Sequence, residues 1–329
     1  MLTYDSTTVC RRYSRRRSLP AVIHGDGVYS AAVPRAGSVS MNSRSFMISR
    51  RRFLRLGSAG AVTVLGLTGG GFAEAQGLPG LRRITLKVPA LPPAWDGVRI
   101  LQVSDVHAGP YMSVERMRRI AKMIERIPTD LIVFTGDQMD RRPSDAPAFI
   151  KGFSGISAPL GVYGILGNHD HFIDPARSEW ALRAAGIRPL VNRARVFRRA
   201  GQGLALIGLE DLNASGGRRP DFALVRTYAS SFRVCLIHQP RAWQEAVAAG
   251  AHVTLSGHTH GGQIAIPSRH VNMARLQTRY IAGAYRRDDA FLYVSRGVGV
   301  GALPIRVGAP PEIDLITLRT AAMSARAAA

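Results

Sequence analysis

Five short polar clusters, each directly behind a short apolar run, constrain this chain more than any other feature. They are Asp105-Val106-His107, Gly136-Asp137-Gln138-Met139-Asp140, Gly167-Asn168-His169-Asp170, His238 and Gly257-His258-Thr259-His260. The runs ahead of them end at Val103, Phe134, Leu166, Ile237 and Leu255, and they have the length and Val/Ile/Leu content of strands buried on both faces. A fold that honours this pattern sets all five clusters at the carboxyl ends of strands, where open α/β sheets gather ligands. Glycines at 136, 167 and 257 allow sharp exits and close backbone approach there. Carboxylate, imidazole and amide-oxygen donors delivered to one point can build two adjacent divalent-metal sites. Any one of these histidines reads equally well as a packed core residue. Five clusters in a fixed order do not.

The rest of the pattern is α/β. Residues 98–103, 131–135, 162–166, 204–209, 232–237, 252–255, 291–294 and 313–318 read as strands bounded by Gly, Asp, Asn or Ser. Ser113 caps a predicted helix to Ile127, with Val114, Met117, Ile120, Ala121, Ile124 and Ile127 on one face. Asp174-Pro175 opens a second helix that Gly186 ends, and a third runs from about Pro240 to Gly250. No internal repeat or Pro/Ser-rich linker follows residue 92, so residues 76–329 read as one domain.

The formal net charge is +22 over 329 residues. Residues 1–75 hold eleven Arg and three acids; without them 33 bases face 19 acids, still about +14, which favours anionic partners at long range. Lys87, Lys122 and Lys151 are the only lysines, an Arg bias that suits a GC-rich genome better than selection for phosphate. No aromatic-interleaved basic stripe supports a stable nucleic-acid complex. Cys10 and Cys235 are the only cysteines, and the segment after the signal keeps one of them, so it forms no internal disulfide.

Ser49-Arg50-Arg51-Arg52-Phe53-Leu54-Arg55 resembles the twin-arginine export signal, followed by a Gly-diluted apolar stretch to Phe72 and Ala73-Glu74-Ala75 as an A-x-A cleavage site. Residues 41–75 are therefore expected to be a signal peptide cleaved after Ala75, leaving a chain that starts at Gln76; the alternative is a signal retained uncleaved as an anchor. The expected location is periplasmic or otherwise extracytoplasmic, reached through the twin-arginine machinery. Residues 1–40 are Arg-, Ser- and Ala-rich without periodicity and place the signal unusually deep, so they are expected to be disordered or to precede the true start at Met41 or Met47.

The five clusters together resemble the calcineurin-like metallophosphoesterases. The narrower likeness is to small bacterial phosphodiesterases with His-Gly-Gly-Gln behind the last cluster, here Gly257 to Ile264. Residues 292–299, Pro304, Arg306 and Pro311-Glu312 are similar too, so the resemblance spans residues 84–319. It implies two mixed β-sheets packed face to face with flanking helices, a four-layer α-β-β-α sandwich. It also implies a first metal on Asp105, His107 and His260, a second on Asn168, His238 and His258, and Asp137 bridging them. The reaction implied is in-line attack on phosphorus by a hydroxide between two divalent ions (Mn, Fe, Zn or Co), with His169 as proton donor and Asp170 orienting its ring.

Several neighbours read less sharply. Asp140 is expected to support its loop, and His171 to be solvated or to touch substrate. His252 and His270 read as structural, Arg141 and Arg142 as solvated or phosphate-facing, and Arg296 as ordering a site loop. The expectation is a monomeric phosphoesterase acting on a phosphodiester, or a phosphomonoester, of an envelope lipid or nucleotide. The alternative is an inactive metal- or anionic-surface-binding envelope protein.

Overall fold

The computed structural model describes residues 70, 72–266, 271–301 and 303–321, with the backbone of two short strands near the start. One sheet has the order β3 (Gly80–Val88), β16 (Glu312–Thr320), β4 (Arg99–Val103), β5 (Leu131–Thr135), β6 (Val162–Ile165) and β7 (Arg188–Pro189). The second runs β2 (Gly27–Tyr29), β1 (Ala21–His24), β14 (Gly283–Arg287), β15 (Ala290–Val294), β11 (Val253–Ser256), β10 (Phe232–Leu236), β9 (Gln202–Gly208) and β8 (Arg193–Arg199). Each sheet has a parallel run, β4-β5-β6-β7 in one and β9-β10-β11-β15 in the other, met by antiparallel β16 in the first and by β8 and β14 in the second; β12 (Ala265–Ile266) and β13 (Val271–Asn272) pair separately. Both are mixed, as the resemblance implied.

Period-two alternation sorts the apolar runs into layers. Leu131 and Val133 of β5 face the other sheet, where Ile100, Tyr163, Leu206, Val234, Leu255 and Tyr293 join them. Ile132 and Phe134 point outward onto the helices Val114–Glu125, Ala146–Phe153 and Pro175–Ala184. Across the molecule Ala205, Ile207 and Cys235 do the same against Ala223–Thr227 and Trp243–Ala248. The layers are helix, sheet, sheet, helix. The expected helix starts hold: Ser113 Oγ accepts from Arg116 N, and Asp174 caps Arg177 N.

All eight expected strands form. The strands that the apolar runs did not reveal include β3 and β8 at sheet edges, with Arg82, Arg83, Lys87, Arg193, Arg195, Arg198 and Arg199, and β14 between β1 and β15, with Arg286 and Arg287. Charge on an edge strand blocks pairing with another chain, and it also hides the strand from a search for apolar runs. In the segment read as aperiodic, Val22-Ile23 and Val28-Tyr29 pair as a hairpin on β14. The export signature at residues 49–55 lies outside the described residues. Among those described, no helix is long and apolar enough to cross a membrane.

Two polar contacts lock the sheets together. Gln102 of β4 donates to Ser256 O of β11 and to Thr135 Oγ1 of β5. Tyr293 OH of β15 donates to Asp314 Oδ1 of β16 at 2.6 Å. Burial, with the Glu312 charge beside it, pushes the Asp314 carboxyl up to about 8, and Arg82 opposes this weakly. The folded chain therefore keeps a proton that an unfolded carboxyl, titrating near about 4, gives up. Stability should fall as pH rises from about 4 to about 8 and level off above. Asp314→Asn keeps an acceptor for Tyr293 and removes that slope. The variant is expected to melt a few degrees (~2–4) above the parent near pH 8 and level with it near pH 4, measured by scanning fluorimetry across that range.

Candidate metal centre

Every cluster named from the sequence sits at the carboxyl end of a strand, and the two sheets bring their ends to one point. Asp105 and His107 follow β4, Asp137 follows β5, and Asn168 and His169 open the short helix Asn168–Ile173 after β6. His238 follows β10, and His258 and His260 follow β11. Asp105, His107, Asp137, His258 and His260 all hold left-handed backbone, with φ between 48° and 73°. Such conformations cost of order 1–3 kcal/mol each outside glycine and persist only where surroundings over-determine them. Gly257 is required by space: a Cβ there would overlap Ser104 Oγ and Asp105 Oδ2.

Asp137 is the centre. Its Oδ2 lies 3.5 Å from His107 Nε2 and 3.2 Å from His238 Nε2, and its Oδ1 accepts the backbone N–H of His169 at 2.9 Å. Asp105 lies with His107 and His260 in one group of ligand atoms, and Asp137 with His238 and His258 in another. The Asp105 carboxylate also accepts the backbone N–H of His258. Within the first group His260 Nε2 is 3.5 Å from Asp105 Oδ1 and 3.1 Å from His107 Nε2.

The donor atoms are prepared for cations. His238 Nδ1–H donates to the Thr135 carbonyl at 2.8 Å, which leaves Nε2 with a lone pair, and that buried atom has no hydrogen-bond partner. Asn168 Oδ1 is likewise buried without a partner and lines the same side as His258. Burial opposes charge on these rings, yet the Asp137 carboxylate raises His238 well above the usual imidazole range. His107 is raised too, against burial, by Asp140 and the charges of Asp137 and Asp105. Asp137 is held well below the carboxylate range despite burial, chiefly by His238. Burial, reinforced by His238, lowers His258 to about 4, and burial with His107 depresses His260 strongly. The negative charge that raises His107 and His238 is what a divalent cation would neutralise once it displaced their ring protons.

Several neighbours take roles other than those expected. Asp170 does not orient His169. Its carboxylate accepts backbone N–H groups of Gly167 and Gln138 and so closes the first turn of its own helix. Burial and the Asp137 charge raise it to about 6. The His169 ring is held by the Asp140 carbonyl, 2.9 Å from Nδ1. Asp140 also turns Oδ1 toward His107 Nδ1 at 3.5 Å while its Oδ2 accepts from Arg141 Nε. His171 is neither solvated nor at substrate: it is buried with Nε2 2.6 Å from Glu210 Oε1. Arg296 pairs with Glu312 and packs beneath Gly261. His252 accepts the backbone N–H of Arg233, a structural role. His270 lies outside the described residues.

Glu210 and Asp211 were not singled out from the sequence, although they too follow a buried strand, β9. Asp211 Oδ1 accepts from Gln239 Nε2 and Asn213 N, and so fixes two residues of an adjoining cavity of about 510 Å³. That cavity runs from Asn168 and His258 past Gln239, Asn213 and Arg241 to Phe172 and Leu276. Arg306 is fully buried and donates to the carbonyls of Arg296, Gly297 and Ala309, pinning the glycine-rich loop packed over Asp105.

A four-layer α/β sandwich that collects Asp, Asn and His side chains at its strand ends has the architecture of a metal-dependent hydrolase. The family model for calcineurin-like phosphoesterases matches residues 98–262. The Bacillus subtilis (strain 168) protein named uncharacterized metallophosphoesterase YkuE is 33% identical over 285 residues, covering 83% of this chain and 98% of that one. An Aquifex aeolicus (strain VF5) protein named uncharacterized metallophosphoesterase is 28% identical, covering 73% of this chain and 91% of its own. A Danio rerio transmembrane protein with metallophosphoesterase domain is 30% identical, and the match spans 76% of this chain but 60% of that protein. The chain belongs to the calcineurin-like phosphoesterase family and is a hydrolase of phosphoric ester bonds.

Because Asp140 holds His107 by its carboxylate and His169 by its carbonyl, Asp140→Ala should loosen the first while the backbone still carries the second. Losing such a supporting partner costs ~10–100-fold in metal affinity or activity. Manganese titration by calorimetry should show that loss on one class of site, with the apo-protein melting temperature little changed.

Proposed function

We propose that the chain hydrolyses phosphodiesters at a binuclear metal centre, and the sharing of Asp137 between His107 and His238 carries this reading. Asp105, His107 and His260 would hold one divalent ion, Asn168, His238 and His258 the other, and Asp137 both. Mixed nitrogen and oxygen donors suit Mn, Fe, Zn or Co. Bound there, the pair would lower the pKa of water and neutralise charge developing on the phosphoryl oxygens.

The chain's own residues do the rest. His169 stands beside His107, ring centroids 4.6 Å apart, with its side chain 30% exposed at the mouth. Its Nδ1–H donates to the Asp140 carbonyl, so the protonated ring presents Nε2–H outward, where a leaving alkoxide needs a proton. Arg241, Gln239 and Asn213 line the cavity beyond Asn168 and offer donors to the remainder of the ester.

We place the activity outside the cytoplasm, on the twin-arginine signature. Ala75 is fully buried, and Gly77 O accepts from Arg116. A chain exported folded therefore shields the bond after Ala75, and the signal stays attached as an anchor. Intact mass of the exported protein measures this; a product beginning at Gln76 would overturn it.

Turnover is best read with bis(p-nitrophenyl) phosphate and p-nitrophenyl phosphate, with manganese supplied. Asp137→Asn should abolish hydrolysis, and His169→Gln should lower kcat ~10²–10⁴-fold with bound metal unchanged. The diester should be the faster substrate. Absence of turnover on both esters by folded, metal-loaded protein would overturn the assignment.

A further inference from the structure

Large apolar side chains are exposed around the mouth of this site. Among the described residues seven are well exposed, and four of them flank the ligand-bearing turns: Leu276 at 83%, Phe172 at 67%, Leu303 at 55% and Met273 at 53%. Phe172 lies on the helix that begins at Asn168, its ring centroid 6.1 Å from that of His169. Leu276 and Phe172 both line the cavity that contains Asn168 and His258. Met273 begins the turn Met273–Leu276, whose preceding Asn272 donates to Gly261 O of the His260 turn. Leu303 sits on the other side of that turn, where its carbonyl accepts from Gln263 Nε2.

Four of the seven well-exposed large apolar groups gather from three separate segments around the ligand-bearing turns, whereas isolated exposed apolar residues are expected to be dispersed. Phe172 and Leu276 stay well exposed although they line the cavity, and Met273 and Leu303 are exposed beside it. The same stretch interleaves exposed Arg275 and Arg279 with Met273 and Leu276. Apolar anchors flanked by arginines match the interfacial layer of an anionic bilayer, where acyl chains lie just below phosphates. A soluble nucleotide would engage the metal ligands and the polar wall and leave this rim in water.

We propose that the rim seats the site on an anionic lipid bilayer, and that its substrate is a phosphodiester lipid presented there. This rests on the phosphodiesterase reading for the fate of the lipid, while docking stands on the rim alone. Water adds across one P–O ester bond, its hydroxyl to phosphorus and its proton to the departing alcohol. The cavity with Asn213, Gln239 and Arg241 takes the polar head, and Phe172 and Leu276 meet the acyl side.

Two measurements on the full-length chain test it. Leu276→Trp places a fluorophore on the rim, and vesicles of phosphatidylglycerol with brominated phosphatidylcholine should quench its added emission, less so in high salt. An apolar signal segment elsewhere in the chain cannot produce that local quenching. Met273→Ser with Leu303→Ser should lower hydrolysis of vesicle-embedded phosphatidylglycerol by roughly tenfold, from the loss of two buried apolar contacts, while turnover of bis(p-nitrophenyl) phosphate is kept. No quenching, or an equal effect on both substrates, would overturn the proposal. Quenching without turnover of either diester would keep the docking surface and sink the phosphodiesterase reading instead.

Discussion

The Asp137 carboxylate is where the two sheets become one structure. It stands at the end of β5 in one sheet and meets His238 from β10 in the other, while its second oxygen ties down the backbone of His169. Burying that charge is costly unless several partners share it. Here the partners come from both sheets, so removing any one leaves a buried charge uncompensated. The register between the sheets is thus tied to the geometry of the site.

Left-handed backbone concentrates around this point, with Asn192, Ala200, Gln263 and Asp288 the other described non-glycine cases. Five of the seven candidate ligands occupy left-handed conformations, and each is bracketed by bonds that leave no alternative path. Asp105 N donates to Gly136 O, His107 N to Asp137 O, and Gly257 N to His238 O. Val298 N and Gly299 N then cover the Ser104 and Asp105 carbonyls from the loop that Arg306 pins. The strand cores supply rigidity, Gln102 and Tyr293 fasten one sheet to the other, and most of the strained residues sit in turns where side chains must converge. Pre-organisation of this kind fixes donor atoms before any cation arrives, which limits the ordering cost on binding.

The central strands and the ligands were legible because burial on both faces writes itself as apolar runs, and the donors follow those runs at once. Edge strands were not: β8 reads Arg-Ala-Arg-Val-Phe-Arg-Arg, a pattern whose meaning depends on having one neighbour instead of two. The roles of Asp140, Asp170 and His171 were also hidden. All three lie within two or three residues of ligands, and sequence adjacency does not say which way a side chain turns as a strand passes into a turn. Asp170 turned back to cap its helix, and the task of holding His169 fell to a backbone carbonyl that no pattern of side chains reveals. Glu210 and Asp211 follow β9 as the clusters follow their own strands, but they lack the histidines that drew attention to the rest.

The basic charge of the chain can now be divided. Part of it stands on the edge strands β3 and β8, where each basic side chain guards one strand and needs no anionic partner. Long-range attraction from the remainder brings anions near without choosing among them, since Coulomb steering is screened within about 10 Å at ordinary salt. Selection needs short-range contacts, and those stand at the mouth, where polar groups fixed by Asp211 share one cavity with Phe172 and Leu276. An opening that is polar beside the metal ligands and apolar at its rim discriminates by the shape of the whole ester, and the phosphate alone cannot satisfy it.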